Sequence, residues 1–225
     1  MERHLTTSEF ARSAYQLISD VTDVNMRILE KAQFQPEEKQ DAVVTLAIES
    51  LSPAIVAVRV ALWGNMPESL TVLRSGLESC AQLQFVIQER QYETAVYEMN
   101  RKFDRLGFQS ASSGLGKLGE KINTLHGLIS EAAAHATANR LKWNKYQHQG
   151  QSYFRVGFAR DPAKAELPLF YCMDVAVIVM DALRQAYEQD ELPFEWSRDF
   201  ENLMERHRTL KTEFSARFRS VGGGT

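Results

Sequence analysis

Hydrophobic residues recur every three or four positions along most of this chain of 225 residues. Because one turn of an α-helix takes about 3.6 residues, this spacing places apolar side chains on one face of a helix. The pattern therefore predicts a first helix that begins near a capping box of Thr6 and Glu9. Its apolar stripe consists of Phe10, Ala14, Leu17, Val21, Val24 and Ile28.

Prolines mark where the next two helices begin. Pro36 precedes two glutamates, which favour the positive end of a helix dipole, and this predicts a second helix that runs to about Trp63. Pro53 lies inside that helix and is expected to kink it or to divide it into two pieces. Pro67 opens a third helix that continues to about Arg90.

The rest of the chain continues in the same way. Helices are predicted over about 92–106, 117–140, 162–190 and 194–219, with Pro168 as an alternative start for the third of these. The stretch 169–183 is apolar on nearly all sides, which is typical of a helix surrounded by neighbours. It is too short to cross a bilayer, so we expect the central helix of a soluble bundle and no membrane partner.

One segment departs from helical periodicity. Tyr153, Phe154, Val156 and Phe158 favour strands, and Gly150 favours a turn. The predicted fold is all-α, an up-and-down bundle of about six to seven helices with a small β-hairpin near 143–158. We expect one domain over residues 1–221 and a flexible tail over 222–225, because nothing in the chain suggests a second core.

Composition adds a little to this picture. Hydrophobic residues make up 44% and charged residues 24%, which is typical of a globular protein. The net charge of −3 creates no general attraction for nucleic acid or an anionic membrane. Cys80 and Cys172 lie apart in apolar helical patterns, so we expect buried free thiols and, with no signal-peptide pattern at the N-terminus, a cytoplasmic protein.

The third helix carries an ion pair on its apolar side. A helical wheel places Arg74 between Leu70 and Leu77, inside the apolar arc, with Glu78 at its edge. Four residues apart, the two side chains can form a salt bridge, and a lone buried charge would be costly. The pattern fits two interpretations, an internal ion pair that fixes helix packing or a site in a cleft.

The helix over 117–140 carries two histidines. The wheel places His126 and His135 on opposite flanks of its apolar stripe, so they cannot bind one ion together, and we expect no metal and no cofactor. Glu131 and His135 share a face, one turn apart. Alanines from 132 to 138 allow another helix to approach closely, which also suits a histidine that is satisfied between helices.

Other motifs have ordinary explanations. Gly114, Gly116 and Gly119 spell GxGxxG, but no strand is predicted before them, so a loop between helices is favoured over a dinucleotide site. Asp174 and Asp181 fit acid–base chemistry less well than pairing with a cation. The cations of the last helix could contact phosphate, although a solvated basic face near a helix C-terminus is the preferred interpretation.

Two segments carry a family resemblance, PESLTVLRSGLESCAQLQFVI at 67–87 and LISEAAAHAT at 128–137. They resemble an uncharacterised bacterial family of helical bundles near the HEPN (higher eukaryotes and prokaryotes nucleotide-binding) superfamily. In that group a helix with "LR…E" is followed by one ending in "LSE…H". These motifs map onto Arg74, Glu78, Ser130, Glu131 and His135.

The resemblance implies a homodimer with a role in phage defence or as a toxin, and a metal-independent RNase activity. Many HEPN nucleases use an Arg and a His separated by four to six residues, and this chain lacks that pairing. We therefore expect a HEPN-like, RNA-directed bundle, or alternatively a non-enzymatic oligomeric scaffold that binds another protein. The candidate catalytic residues are Arg74, Glu78 and His135, and the candidate binding residues are Ser130, Glu131 and Asn139.

Overall fold

The computed structural model describes residues 8–31, 37–63, 65–88, 108, 112, 114–131, 145–154, 162–187 and 194–222. This part of the chain confirms the all-α helical bundle. The predicted helix at 92–106 lies outside the described residues, as do residues 132–140 of the next one. The helices are α1 (Glu9–Lys31), α2 (Glu37–Leu62), α3 (Met66–Gln88), α4 (Gly116–Ile129), α5 (Pro162–Ala186) and α6 (Phe194–Gly222).

Ser8 caps the first helix. The Ala11 backbone N–H donates to Ser8 Oγ at 3.1 Å, and the Arg12 N–H donates to the Ser8 carbonyl oxygen at 3.2 Å. Glu9 is therefore the first residue of the helix. The capping box suggested by the sequence would need Glu9 at the third helical position, so that prediction is wrong. Thr6 lies outside the described residues.

Helix α2 continues through Pro53 as one helix, so the proline does not divide it. Helix α3 passes very close to this point. A Cβ added at Gly76 would lie 2.8 Å from the Ser50 carbonyl oxygen and 3.2 Å from Pro53 Cβ. The absence of a side chain at Gly76 therefore lets the two helices pack backbone against backbone, and Ser69 Oγ adds a hydrogen bond of 2.7 Å to the Ala57 carbonyl oxygen.

Helix α5 is central, as its all-round apolar pattern predicted, because it contacts each of the other helices named above. It begins at Pro162, so Pro168 lies inside it. Cys172 on α5 and Cys80 on α3 are buried free thiols, which confirms the expectation. Burial raises the pKa of the Cys80 thiol to about 12, so this cysteine stays protonated and unreactive at neutral pH.

The predicted hairpin is present. Strands β1 (Lys145–His148) and β2 (Gln151–Phe154) pair antiparallel, with Lys145 opposite Phe154 and His148 opposite Gln151. The two turn residues, Gln149 and Gly150, have φ values of 51° and 75°. Left-handed backbone at both positions is the geometry of a tight two-residue turn that matches the twist of the strands.

Helix α2 has the length and apolar character of a membrane span over Asp41–Leu62, the single such stretch in the described part of the chain. Of that window, 44% is buried against the rest of the protein. A core helix of a soluble protein passes the same test, and α2 packs on both α3 and α5. The stretch is therefore weak evidence for a membrane.

Ion pairs fasten α6 to its neighbours. Arg206 contacts Asp20 of α1 at 2.6 Å, and Arg217 contacts Glu166 of α5 at 3.0 Å. The predicted solvated basic face is thus in part a set of contacts between helices. Because these guanidinium groups hold α6 against α1 and α5, binding a phosphate there would disrupt contacts between helices.

Candidate functional site

Helix α4 runs antiparallel to α3 and packs against residues 74–88, the C-terminal part of that helix. Near one end, Gln88 Nε2 donates to the Leu115 carbonyl oxygen at 3.1 Å, and near the other end Arg74 meets His126. Gly119 lets the segment before α4 pack closely on the first turn of that helix, since a Cβ there would overlap the Ser112 carbonyl oxygen. The glycines at 116 and 119 therefore build a turn and a close contact at the start of α4.

Three polar side chains converge where α3 and α4 meet. Arg74 Nε lies 3.2 Å from Glu78 Oε1 and 3.1 Å from His126 Nε2. Glu78 Oε1 is 3.5 Å from His126 Nε2, which closes the triangle. We call Arg74, Glu78 and His126 the α3–α4 cluster.

The burial of the cluster corrects one expectation. The side chains of Arg74 and Glu78 are 37% and 44% exposed, so the pair is not the buried charge pair that the wheel suggested. A wheel gives the direction of Cβ, whereas a long arginine side chain can bury its stem and still bring its charge to the surface. An exposed pair of this kind contributes about 0.3–0.5 kcal/mol to stability. His126 is the buried member, with a side chain 7% exposed.

The imidazole of His126 is neutral in this setting. Burial lowers its pKa, the Arg74 charge lowers it further, and the Glu78 carboxylate opposes both effects. Nε2 accepts the hydrogen bond from Arg74 Nε–H, so the ring proton is on Nδ1. The cluster therefore presents an unprotonated ring nitrogen beside a guanidinium.

Two buried polar atoms on α4 have no hydrogen-bond partner within the described residues. They are His126 Nδ1 and, one turn further along, Ser130 Oγ. An unsatisfied buried donor or acceptor costs about 1–3 kcal/mol, unless a water or a ligand supplies the missing contact. Both atoms therefore need a polar partner beyond the described residues.

Phe108 covers the histidine. Its ring stacks on the His126 ring with the centroids 4.0 Å apart and the planes at 26°. Ser112 Oγ lies 2.6 Å from the Phe108 carbonyl oxygen and also hydrogen-bonds the Asn123 side chain of α4. These contacts fix Phe108 against α4, with its ring over one face of the imidazole.

Helix α4 ends in a wider, π-helical turn at Ser130 and Glu131. Such turns are frequent at functional sites. Glu131 is exposed, and its charge adds to the raised pKa of Tyr171, which is caused first by burial and next by Asp174. Glu131 therefore interacts electrostatically with Tyr171 on α5.

The structure brings only some of the predicted residues together. Arg74 and Glu78 form the predicted salt bridge, and Ser130 lies one turn beyond His126 on α4. His135 and Asn139 lie outside the described residues. The sequence reasoning missed His126 as a site residue, because it lies 52 positions from Arg74 and no local spacing connects the two. The helical wheel places His126 at the flank of the α4 apolar stripe, and this position alone indicated that it could lie between helices.

A second histidine pairs with a carboxylate between α5 and α6. His207 Nε2 lies 2.6 Å from Asp174 Oδ1, and Lys211 Nζ lies 3.1 Å from each Asp174 oxygen. We call these three residues the α5–α6 cluster. On the same helix, Asp181 lies 3.8 Å from Lys121 and 3.9 Å from Arg184. Both aspartates thus pair with cations, as the sequence analysis favoured.

Within the residues that the structure describes, no group of three or more His, Cys, Asp or Glu side chains could hold a metal ion. No protein-family model matches the chain, and comparisons with curated proteins and with solved structures give no match. The HEPN-like relationship therefore stays a prediction, and a function has to be argued from the chemistry of the site.

Proposed function

We propose that the α3–α4 cluster binds the phosphodiester backbone of RNA and cleaves it without a metal ion. The observation that carries the proposal is the contact of 3.1 Å between Arg74 Nε and the unprotonated Nε2 of His126. The HEPN-like resemblance implies an Arg and a His from one helix. Here two helices supply the same pair of groups, so the missing linear motif does not argue against the chemistry.

Arg74 has the properties of a phosphate-binding residue. Its Nη1 and Nη2 atoms donate no hydrogen bond to any residue that the structure describes, and 37% of the side chain is exposed. The planar fork of a guanidinium can donate two parallel hydrogen bonds to a phosphate. It would hold the phosphate and stabilise the negative charge that develops on it during reaction.

His126 has the properties of a general base. It would take the proton of the RNA 2′-hydroxyl on Nε2 once the guanidinium turns towards the phosphate. The 2′-oxygen then bonds to the adjacent phosphorus, and the bond from phosphorus to the 5′-oxygen breaks. The imidazolium returns the proton to that leaving oxygen, which yields a 2′,3′-cyclic phosphate and a 5′-hydroxyl.

The test is cleavage of a short single-stranded RNA by the purified chain in the presence of EDTA. We expect products with cyclic phosphate ends, and an Arg74→Ala variant should bind and cleave at least tenfold less well, because a bidentate charged contact is lost. Arg59→Ala, an exposed arginine on α2, is the control and should behave as the wild type. An RNA with a 2′-O-methyl group at the cleavage site should stay intact, and cleavage of that RNA would refute the mechanism.

A specific observation also favours the alternative, a non-enzymatic oligomeric scaffold. Ile48, Val56 and Trp63 are exposed apolar residues on one side of α2, about two helical turns apart. A row of this kind suits a contact with another protein or with a second copy. Light scattering measures the mass directly. A dimer of the wild type that becomes monomeric in Val56→Glu, with no RNA cleavage by either, would favour this alternative.

A further inference from the structure

One oxygen of Glu78 lies where a ligand anion would bind. Glu78 Oε1 is 3.2 Å from Arg74 Nε and 3.5 Å from His126 Nε2, so it touches both groups of the proposed RNA site. Carboxylate and phosphate oxygens carry the same sign of charge and accept the same hydrogen bonds. Glu78 therefore has the chemistry of an occupant of the site.

Glu78 and His126 share one donor. The Arg74 Nε–H lies within hydrogen-bonding distance of both Glu78 Oε1 and His126 Nε2, and both of these atoms are acceptors when the histidine is neutral. A shared N–H makes a weaker bond to each acceptor than it would to one. If the Glu78 carboxylate leaves, it loses its attraction to the Arg74 guanidinium. It also loses its unfavourable contact with the second acceptor, His126 Nε2.

The contact is also easy to exchange. The other carboxylate oxygen of Glu78 accepts no hydrogen bond from the described residues, and the side chain is 44% exposed. Within the helix, an Arg followed by a Glu four residues later is the less favourable order for a salt bridge. A phosphate can bind Nη1 and Nη2 of Arg74, which donate to no described residue, with two oxygens, whereas Glu78 uses a single oxygen on Nε.

We propose that Glu78 is an internal competitor of RNA: its carboxylate occupies the anion site of Arg74 and His126 in the free protein, and an RNA phosphate displaces it. This inference rests on the proposed function. It gives Glu78 a regulatory role in place of the catalytic role expected for it, because the side chain has to leave before the substrate binds. RNA then binds more weakly than it would to a site without Glu78. The site is also more selective for an anion that is doubly charged or bidentate.

The test compares Glu78→Gln and Glu78→Ala with Glu120→Gln. Glu120 is an exposed carboxylate on α4, so its replacement makes the same change in net charge away from the cluster. Fluorescence anisotropy with a short single-stranded RNA that carries a 2′-O-methyl group at each position measures binding without cleavage. We expect both Glu78 variants to bind about two- to fivefold more tightly than the wild type, and the control to change by much less.

The salt dependence sharpens the result. A guanidinium released from Glu78 forms a more complete contact with phosphate, so the slope of log affinity against log salt should become steeper by up to about 0.7 in the Glu78 variants. A second readout needs no RNA. Because Glu78 raises the pKa of His126, NMR titration should show a lower His126 pKa in Glu78→Gln and no change in Glu120→Gln.

The outcomes separate the two proposals. If the wild type binds no RNA, the proposed function fails and this inference fails with it, even where the His126 pKa moves as expected. If the wild type binds RNA and the Glu78 variants bind it equally or less tightly, the competitor role is wrong and RNA binding stands. Unchanged binding with lost cleavage would assign Glu78 to the catalytic step instead.

Discussion

The α3–α4 and α5–α6 clusters contain the same types of group in opposite arrangements. Each joins a histidine, a carboxylate and a longer cationic side chain across two helices. In the α5–α6 cluster the carboxylate of Asp174 is 13% exposed, and both of its oxygens contact a cation. In the α3–α4 cluster the carboxylate is 44% exposed, and the deeply buried group is a neutral imidazole.

This difference is the one expected between a structural site and the proposed RNA site. A charge removed from water must be paired and hydrogen-bonded, and Asp174 meets that requirement through His207 and Lys211. The α3–α4 cluster leaves His126 Nδ1 without a partner among the described residues and keeps its charges at the surface. Groups of the first kind hold helices together, whereas groups of the second kind are available to a ligand.

The largest expected effect concerns the two histidines. His126→Gln should lower the rate of RNA cleavage by about 10²–10⁴-fold, because it removes the general base. His207→Gln should leave cleavage per folded molecule unchanged, since His207 contacts Asp174 and lies outside the proposed site. Initial rates in EDTA, corrected for the folded fraction by circular dichroism, measure both. Equal losses in the two variants would remove the distinction between the clusters.

The next effect concerns the two carboxylates and protein stability. Asp174→Asn should reduce the free energy of unfolding by about 1–3 kcal/mol, because His207 and Lys211 would lose a charged acceptor that is largely buried. Glu78→Gln should change it by less than about 0.5 kcal/mol, as expected for an exposed pair. Urea denaturation followed by circular dichroism measures both values. A larger loss for Glu78→Gln would make the Arg74–Glu78 pair structural.

The sequence predicted the helices better than it predicted the site. The stripe from Phe10 to Ile28 and the all-round apolar stretch at 169–183 determine which faces are buried, and both appear as expected in α1 and α5. Local rules also predicted the Arg74–Glu78 pair, because four residues are one turn. They could not place His126 beside Arg74, since that contact depends on how α3 and α4 pack against each other.

Local rules gave an incomplete answer in two further places for similar reasons. They allowed either a kink in α2 or its division at Pro53. Pro53 does not divide α2, because packing against α3 at Gly76 supports the helix where the proline removes a backbone hydrogen bond. Arg74 points its charge outward although its Cβ faces the apolar side of α3. Propensity and wheel positions describe one helix at a time, and both outcomes depend on a neighbouring helix or on the length of a side chain.

The smallest expected effect is a pH dependence that belongs to one histidine. The pKa of His126 is lower in the folded protein than its ordinary value of 6.5. Between the folded pKa and 6.5, the unfolded chain therefore binds more protons than the folded protein. The free energy of unfolding is thus at its full value above pH 6.5 and falls as the pH drops towards the folded pKa. His126→Gln should make the free energy of unfolding less dependent on pH in this window.

The rate of RNA cleavage should also depend on the protonation of His126. The base is active when Nε2 is unprotonated, so the rate should be level at neutral pH and should decline only below the lowered pKa of His126. Glu78→Gln should move the decline in kcat/KM, which reports the free protein, to lower pH, because it removes the group that raises the His126 pKa there. A rate that keeps rising from pH 6.5 to 8 would show that another residue is the base. His126 Nδ1, which has no hydrogen-bond partner among the described residues, would then remain as a binding feature alone.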